Sequence, residues 1–205
     1  MSGGELLLLG ALSAGSVAGL LAWSRHLPKA PQVALAGFAG AALLVAVLDV
    51  HFAGRARGDL QEWVAVVAVA LAVLGGGPAT VAVFTLVDRA RSVPTSAAAS
   101  PRAAVGDRVS QGAYDEVGDG LRGGAWIGAL ERLAIVSTLV AGWPEGMAVV
   151  LAVKAFGRYP ELRAANQQGP AEAFIIGTLV SVLWAVACAF VITGGMPTGR
   201  VLMAP

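Results

Sequence analysis

The chain has 205 residues, of which 57% are hydrophobic and only 13% are charged, and its formal net charge at pH 7 is +1. Soluble domains use roughly 25% charged residues, so the composition excludes an ordinary soluble domain, and the near-neutral charge gives no basic footprint for nucleic acid. With one Cys and two His, the sequence predicts no disulfide framework, no Cys-rich or His-rich metal site and no cofactor.

Long apolar runs predict five helical segments, and a shorter apolar run predicts a sixth. The long runs lie at about residues 6–23, 33–52, 64–87, 125–142 and 173–193, and the short one at 146–157. A straight helix needs about 20 residues to cross a ~30 Å hydrocarbon core. The short run therefore either continues past its charged residues or forms a re-entrant hairpin with the run before it. The predicted fold class is all-α: a polytopic integral membrane bundle of about six segments, with segments four and five as a tight or re-entrant hairpin.

The first segment is predicted to be a membrane anchor, because it carries Glu5 and lacks the Lys or Arg that precedes the core of a cleaved signal peptide. We divide the chain into a three-segment membrane half (1–87), a linker (88–124) and a second three-segment half (125–205). Lys and Arg between the segments are concentrated on the side that holds the linker. The positive-inside rule then predicts a multi-pass protein of the cell membrane with a cytoplasmic linker and both termini outside.

Three glycines and a proline, Gly75, Gly76, Gly77 and Pro78, fall near the middle of the third segment. They predict an interrupted helix, whose unpaired backbone groups should face protein or a watery cavity. Transporters place substrates at such breaks. A plain proline kink or a close contact between helices is the alternative explanation.

Small residues at helical spacing predict packing stripes. Gly15 and Gly19 form one such stripe in the first segment, and Gly177 and Ser181 form another in the last. Small residues let membrane helices approach closely. These stripes are expected to pack against other helices of the bundle or to support a homo-oligomer.

The fourth segment carries adjacent charges, Glu131 and Arg132, where a lipid-spanning helix should be apolar. Each costs roughly 2.5–3.5 kcal/mol near a helix centre, so the segment needs partners. About the turn at Pro144, an antiparallel hairpin brings Lys154 and Arg158 to a depth similar to that of Glu131, and these two cations share a helix face. The predicted polar network comprises Glu131, Arg132, Lys154, Arg158, Glu161 and Glu172. It either pins the hairpin in register or lines a path for an ion or proton.

The stretch GGAWIGALERLAIVSTLVAGWPEGMAVVLAVKAFGRYPELR, followed by AEAFIIGTLVSVLWA, combines a Gly-x-x-Glu-Arg motif, a Lys-x-x-x-Arg step and a Glu-x-Phe-x-x-Gly-Thr segment. With these motifs, residues 124–186 resemble an uncharacterised family of polytopic bacterial membrane proteins with actinobacterial members. The resemblance implies these shared positions: Gly128, Glu131, Arg132, Lys154, Arg158, Glu161, Glu172, Gly177 and Thr178. Ala173 stands where a bulkier residue is expected, and the resemblance implies no activity.

Known catalytic motifs are not found in the sequence: it has no nucleophile elbow, phosphate-binding loop, HExxH helix or CxxC pair. A membrane enzyme that uses Glu131 as an acid or base is a minor alternative. The leading expectation is a non-enzymatic protein that handles a small ion or polar solute, with Glu131 as its titratable centre. The rival expectation is an accessory or scaffold subunit in which the charges are structural. The expected partners are the lipid bilayer and either further copies of the chain or another membrane subunit.

Overall fold

The structure is a computed structural model that describes residues 3–23, 28–54, 58–91, 122–164 and 169–195. In this part of the chain the regular structure consists of six helices without strands, which confirms the all-α prediction. The helices are α1 (Gly3–Ala22), α2 (Lys29–Ala53), α3 (Asp59–Arg91), α4 (Arg122–Val140), α5 (Glu145–Ala164) and α6 (Gly169–Thr193). Most of the predicted linker, residues 92–121, lies outside the described residues.

Helix α3 lies at the centre of the bundle, because it packs against α1, α2, α4 and α6. Small side chains make these contacts close: Ala68 and Ala72 of α3 and Ala39 and Ala46 of α2 are fully or almost fully buried. Short side chains at a helix interface allow neighbouring backbones to approach each other. The position of α3 gives side chains from several helices access to its backbone.

In the described part of the chain, four helical spans are long and apolar enough to cross a membrane. They are Gly4–Ala22, Lys29–Ala53, Leu60–Arg89 and Glu172–Thr193. Large apolar side chains such as Leu44, Phe52 and Leu183 are exposed on the outer surface of the bundle, and an apolar exterior of this kind suits lipid rather than water. The molecule therefore has the architecture of a helical membrane protein.

A short turn, residues 141–144, connects α4 to α5, and the two helices pack against each other. Gly142 ends α4 with a positive φ of 75°. The amide of Trp143 donates to the carbonyl of Thr138 at 2.9 Å, and the amide of Gly142 donates to that of Leu139 at 3.1 Å. These are the two hydrogen bonds of a Schellman motif, which favours glycine at the left-handed position. A side chain on Gly146 would collide with Trp143 and Thr138, so glycine also permits the close return of α5.

The predicted glycine stripes pack against other helices of the same bundle. A Cβ on Gly15 would lie 3.1 Å from the Cβ of Ala42 in α2, and a Cβ on Gly19 would lie 2.9 Å from the Cα of Gly75 in α3. Gly177 of α6 likewise faces side chains of α3. Gly15 thus allows α1 to approach α2, and Gly19 and Gly177 allow α1 and α6 to approach α3.

Candidate functional site

The predicted interruption of the third segment is not present, because α3 runs as one helix from Asp59 to Arg91 with Pro78 inside it. Proline lacks a backbone N–H, so it removes the helical hydrogen bond to the carbonyl four residues earlier, here that of Leu74. The indole Nε1 of Trp23, just after the end of α1, donates to this carbonyl at 2.8 Å. An external donor thus replaces the missing one, and the helix continues.

Gly77 makes room for Trp23, because a Cβ at this position would lie 3.3 Å from Cζ2 of the indole. The preceding glycine, Gly76, makes room for Arg132 of α4. A Cβ on Gly76 would lie 2.4 Å from Cδ and 2.7 Å from Nε of the arginine, closer than non-bonded atoms can approach. Arg132 therefore requires the absence of a side chain at position 76.

Arg132 is 3% exposed and reaches two other helices. Its Nη2 donates to the carbonyl of Val73 in α3 at 2.9 Å, and its Nη1 donates to Oγ of Ser181 in α6 at 3.4 Å. The guanidinium group has several donors in a fixed plane, so one side chain joins α4 to both α3 and α6. Ser181, predicted as a packing residue, is thus also a hydrogen-bond partner.

Trp184 of α6 is the third side chain that donates to a carbonyl of α3 beside one of its glycines. Its Nε1 donates to the carbonyl of Leu71 at 3.0 Å, and a Cβ on Gly75 would lie 2.5 Å from Cζ2 of its ring. Three consecutive glycines therefore each admit one large side chain, and the three side chains come from α4, α6 and the residue after α1. We call Gly75, Gly76 and Gly77 the glycine notch.

Glu131 faces a different neighbour from Arg132. Its carboxylate forms an ion pair with Nζ of Lys154 in α5, and the two side chains are 14% and 21% exposed, respectively. The predicted network is therefore divided into two parts, because Arg132 contacts α3 and α6 whereas Glu131 contacts α5. Glu172 is exposed in the first turn of α6. The side chains of Arg158 and Glu161 lie outside the described residues.

Among the described residues, Nε of Arg132, beside the notch, and Oγ1 of Thr178 in α6 are buried polar atoms without a hydrogen-bond partner. Thr178 precedes Ser181 by three residues, so both lie on one side of α6. Buried polar groups without partners are unfavourable.

The described residues contain no group of three or more His, Cys, Asp or Glu side chains that could hold a metal ion. Cys188 is buried and unpaired. Two grooves on the bundle surface have volumes of about 560 and 420 Å³. The larger lies between α3, α4 and α6 and the smaller between α1 and α2, and both are lined mainly by apolar side chains.

The hydrogen bonds of Trp23 and Trp184 to α3 were not predicted from the sequence. A usable signal exists: Pro78 deprives the carbonyl of Leu74 of its donor, and a buried tryptophan such as Trp184 needs an acceptor for its N–H. Matching the donor to the carbonyl, however, requires knowledge of which helices are neighbours.

Comparison with protein-family models, curated proteins and solved structures finds no match for this chain. The resemblance over residues 124–186 therefore stays a prediction. In the described residues the fold and the site define the class of protein: an all-helical bundle with helices long and apolar enough to cross a membrane, joined by side-chain donors that reach the backbone of α3.

Proposed function

We propose that this protein is a non-enzymatic accessory or scaffold subunit of the cell membrane. The observation that carries the proposal is the set of contacts at the glycine notch. Arg132, Trp23 and Trp184 all donate to carbonyls of α3, so these side chains join neighbouring parts of the chain to α3. In this proposal the chain crosses the membrane six times, with α4 and α5 as a hairpin, both termini outside and the 88–124 loop in the cytoplasm.

Helix α5 supplies the surface for a partner in this proposal. It packs against α4 and is linked to it by the ion pair between Lys154 and Glu131. Val149, Val153 and Phe156 are exposed at i, i+4 and i+7 on α5, which is the spacing of one helix face. This face is available to another membrane subunit, to a second copy or to lipid.

The test begins with purification of the chain from its native host in mild detergent, followed by native mass spectrometry. A stoichiometric foreign membrane subunit is the expected result. Glu131→Gln should lower cellular abundance and the amount of this subunit recovered, and the exchange of both charges, Glu131→Lys with Lys154→Glu, should restore both. Asp88→Asn, at an exposed position of α3, is the matched control. A chain recovered alone, with normal abundance in all variants, would refute the proposal.

Passage of a small ion or polar solute is the second candidate function. It is supported by the unpartnered buried atoms of Arg132 and Thr178, because a water molecule or a passing solute would satisfy them. Proteoliposomes containing the protein should then show a flux of ions or protons that Glu131→Gln or Thr178→Val abolishes while the protein accumulates normally. Equal flux in empty liposomes and proteoliposomes would exclude this function.

A further inference from the structure

The larger surface groove is a candidate ligand site that neither proposed function uses. It has a volume of about 560 Å³, within the range of roughly 300–1,000 Å³ for small-molecule sites. Helix α3 forms one wall with Ala65, Val66 and Val69, and α4 forms the other. The residues from α4, the following turn and α6 are Val136, Ser137, Val140, Ala141 and Ile192. An apolar lining of this kind suits a hydrocarbon chain.

The groove lies close to one end of the bundle. Gln61 in the first turns of α3 donates to the carbonyl of Ile192 near the end of α6 at 2.6 Å, so these two helix ends are adjacent. Trp63 and Trp143 are 62% and 54% exposed, and each is two residues away from a residue of the groove lining. Exposed tryptophans are enriched where membrane meets water. The groove therefore begins just inside the membrane interface and extends toward the hydrocarbon core.

Two exposed carboxylates, Glu62 and Glu145, lie within four residues along the chain of lining residues of the two walls. Glu62 precedes Val66 by one helical turn and so lies on the same face of α3. Glu145 begins α5 directly after the turn that follows Ala141. Both lie at the end where the headgroup of a lipid in the groove would sit. Carboxylates attract a cationic group and repel an anionic one.

From this combination we infer that the groove holds one acyl chain of a phospholipid whose headgroup carries a primary amine. The amine of the headgroup lies near Glu62 and Glu145, and the acyl chain lies in the groove between α3 and α4. The inference requires that the bundle span a membrane, but it does not depend on which of the two proposed functions holds.

The test uses the full-length protein reconstituted in vesicles with equal amounts of phosphatidylethanolamine and phosphatidylglycerol. The protein is extracted in mild detergent, and retained lipid is counted by native mass spectrometry. We expect one phosphatidylethanolamine per chain, preferred on the order of tenfold over phosphatidylglycerol, as for an electrostatic difference of about 1.4 kcal/mol. Ala65→Leu, which fills the groove, should reduce retention on the order of tenfold. Ala14→Leu, which fills the smaller groove between α1 and α2, is the matched control and should retain the lipid.

The headgroup is tested separately. The double variant Glu62→Gln with Glu145→Gln should still retain one lipid but lose the preference between the two headgroups. Ser137→Leu fills the same groove from α4, so a failure of Ala65→Leu to fold leaves a second filled-groove variant. Undiminished retention in the filled-groove variant would overturn the inference. So would a preference for phosphatidylglycerol, or a dimer that the filled-groove variant dissociates.

Discussion

Replacement of Gly76 by alanine perturbs the glycine notch at its tightest point. The added Cβ would lie 2.4 Å from Cδ and 2.7 Å from Nε of Arg132, so the arginine side chain must move. Arg132 is 3% exposed, so neighbouring side chains must shift to accommodate its displacement. Its hydrogen bond to the carbonyl of Val73, 2.9 Å long, is therefore expected to break or lengthen.

The change in the free energy of unfolding caused by Gly76→Ala is the sum of two unfavourable contributions and one favourable one. Loss of a hydrogen bond from a charged group costs about 1.5–3 kcal/mol, and overpacking costs about 1–3 kcal/mol. Alanine is favoured over glycine within a helix by about 1 kcal/mol, which offsets part of this cost. Gly76→Ala should therefore lower the free energy of unfolding by about 1.5–5 kcal/mol, measured by titration of the protein with a denaturing detergent in mixed micelles and followed by circular dichroism.

Two comparisons separate this explanation from a general effect of alanine. Gly37 in α2 has no atom within 4 Å of the position of its missing Cβ, so Gly37→Ala should be neutral or stabilising by up to about 1 kcal/mol. In an Arg132→Ala background, Gly76→Ala should lose most of its cost, because the colliding atoms are gone. The reasoning is refuted if Gly76→Ala is as harmless as Gly37→Ala, or if its cost is the same with and without Arg132.

The remaining predictions concern the two tryptophans and use the same titration. Trp23→Phe removes the donor to the carbonyl of Leu74 and should cost about 1–2 kcal/mol. In a Pro78→Ala background a backbone N–H can serve that carbonyl, so the change should cost clearly less; an equal cost in both backgrounds would contradict the assigned role. Trp184→Phe removes the bond to the carbonyl of Leu71 and part of a buried ring, and should cost about 1–3 kcal/mol. Unchanged stability would show that this bond contributes little.

Helix positions could be predicted well from the sequence. The apolar runs predicted at 33–52 and 173–193 correspond to α2 (Lys29–Ala53) and α6 (Gly169–Thr193). The helices extend a few residues beyond the apolar runs, because polar residues and glycine at the ends still continue the backbone hydrogen bonds. The length and composition of an apolar run are local properties, so these helices can be located without knowing which helices pack against them.

The candidate site was predictable only in part. Depth along the hairpin brought Glu131 and Lys154 to similar levels, and the structure contains their ion pair. Arg132 was assigned to the same network, but consecutive residues of a helix point about 100° apart. Depth along a helix axis does not specify direction around it, so the sequence argument did not separate the two charges.

The sequence by itself determined that the chain forms apolar helices, that charges in the fourth segment need partners and that Pro78 leaves a carbonyl without its helical donor. Only the tertiary structure decided which side chains meet these needs. Trp23, Arg132 and Trp184 are far apart in the chain, and they converge because α3 lies between their helices. A glycine has no side chain to indicate what will lie against it, so the partners of Gly75, Gly76 and Gly77 follow from helix packing alone.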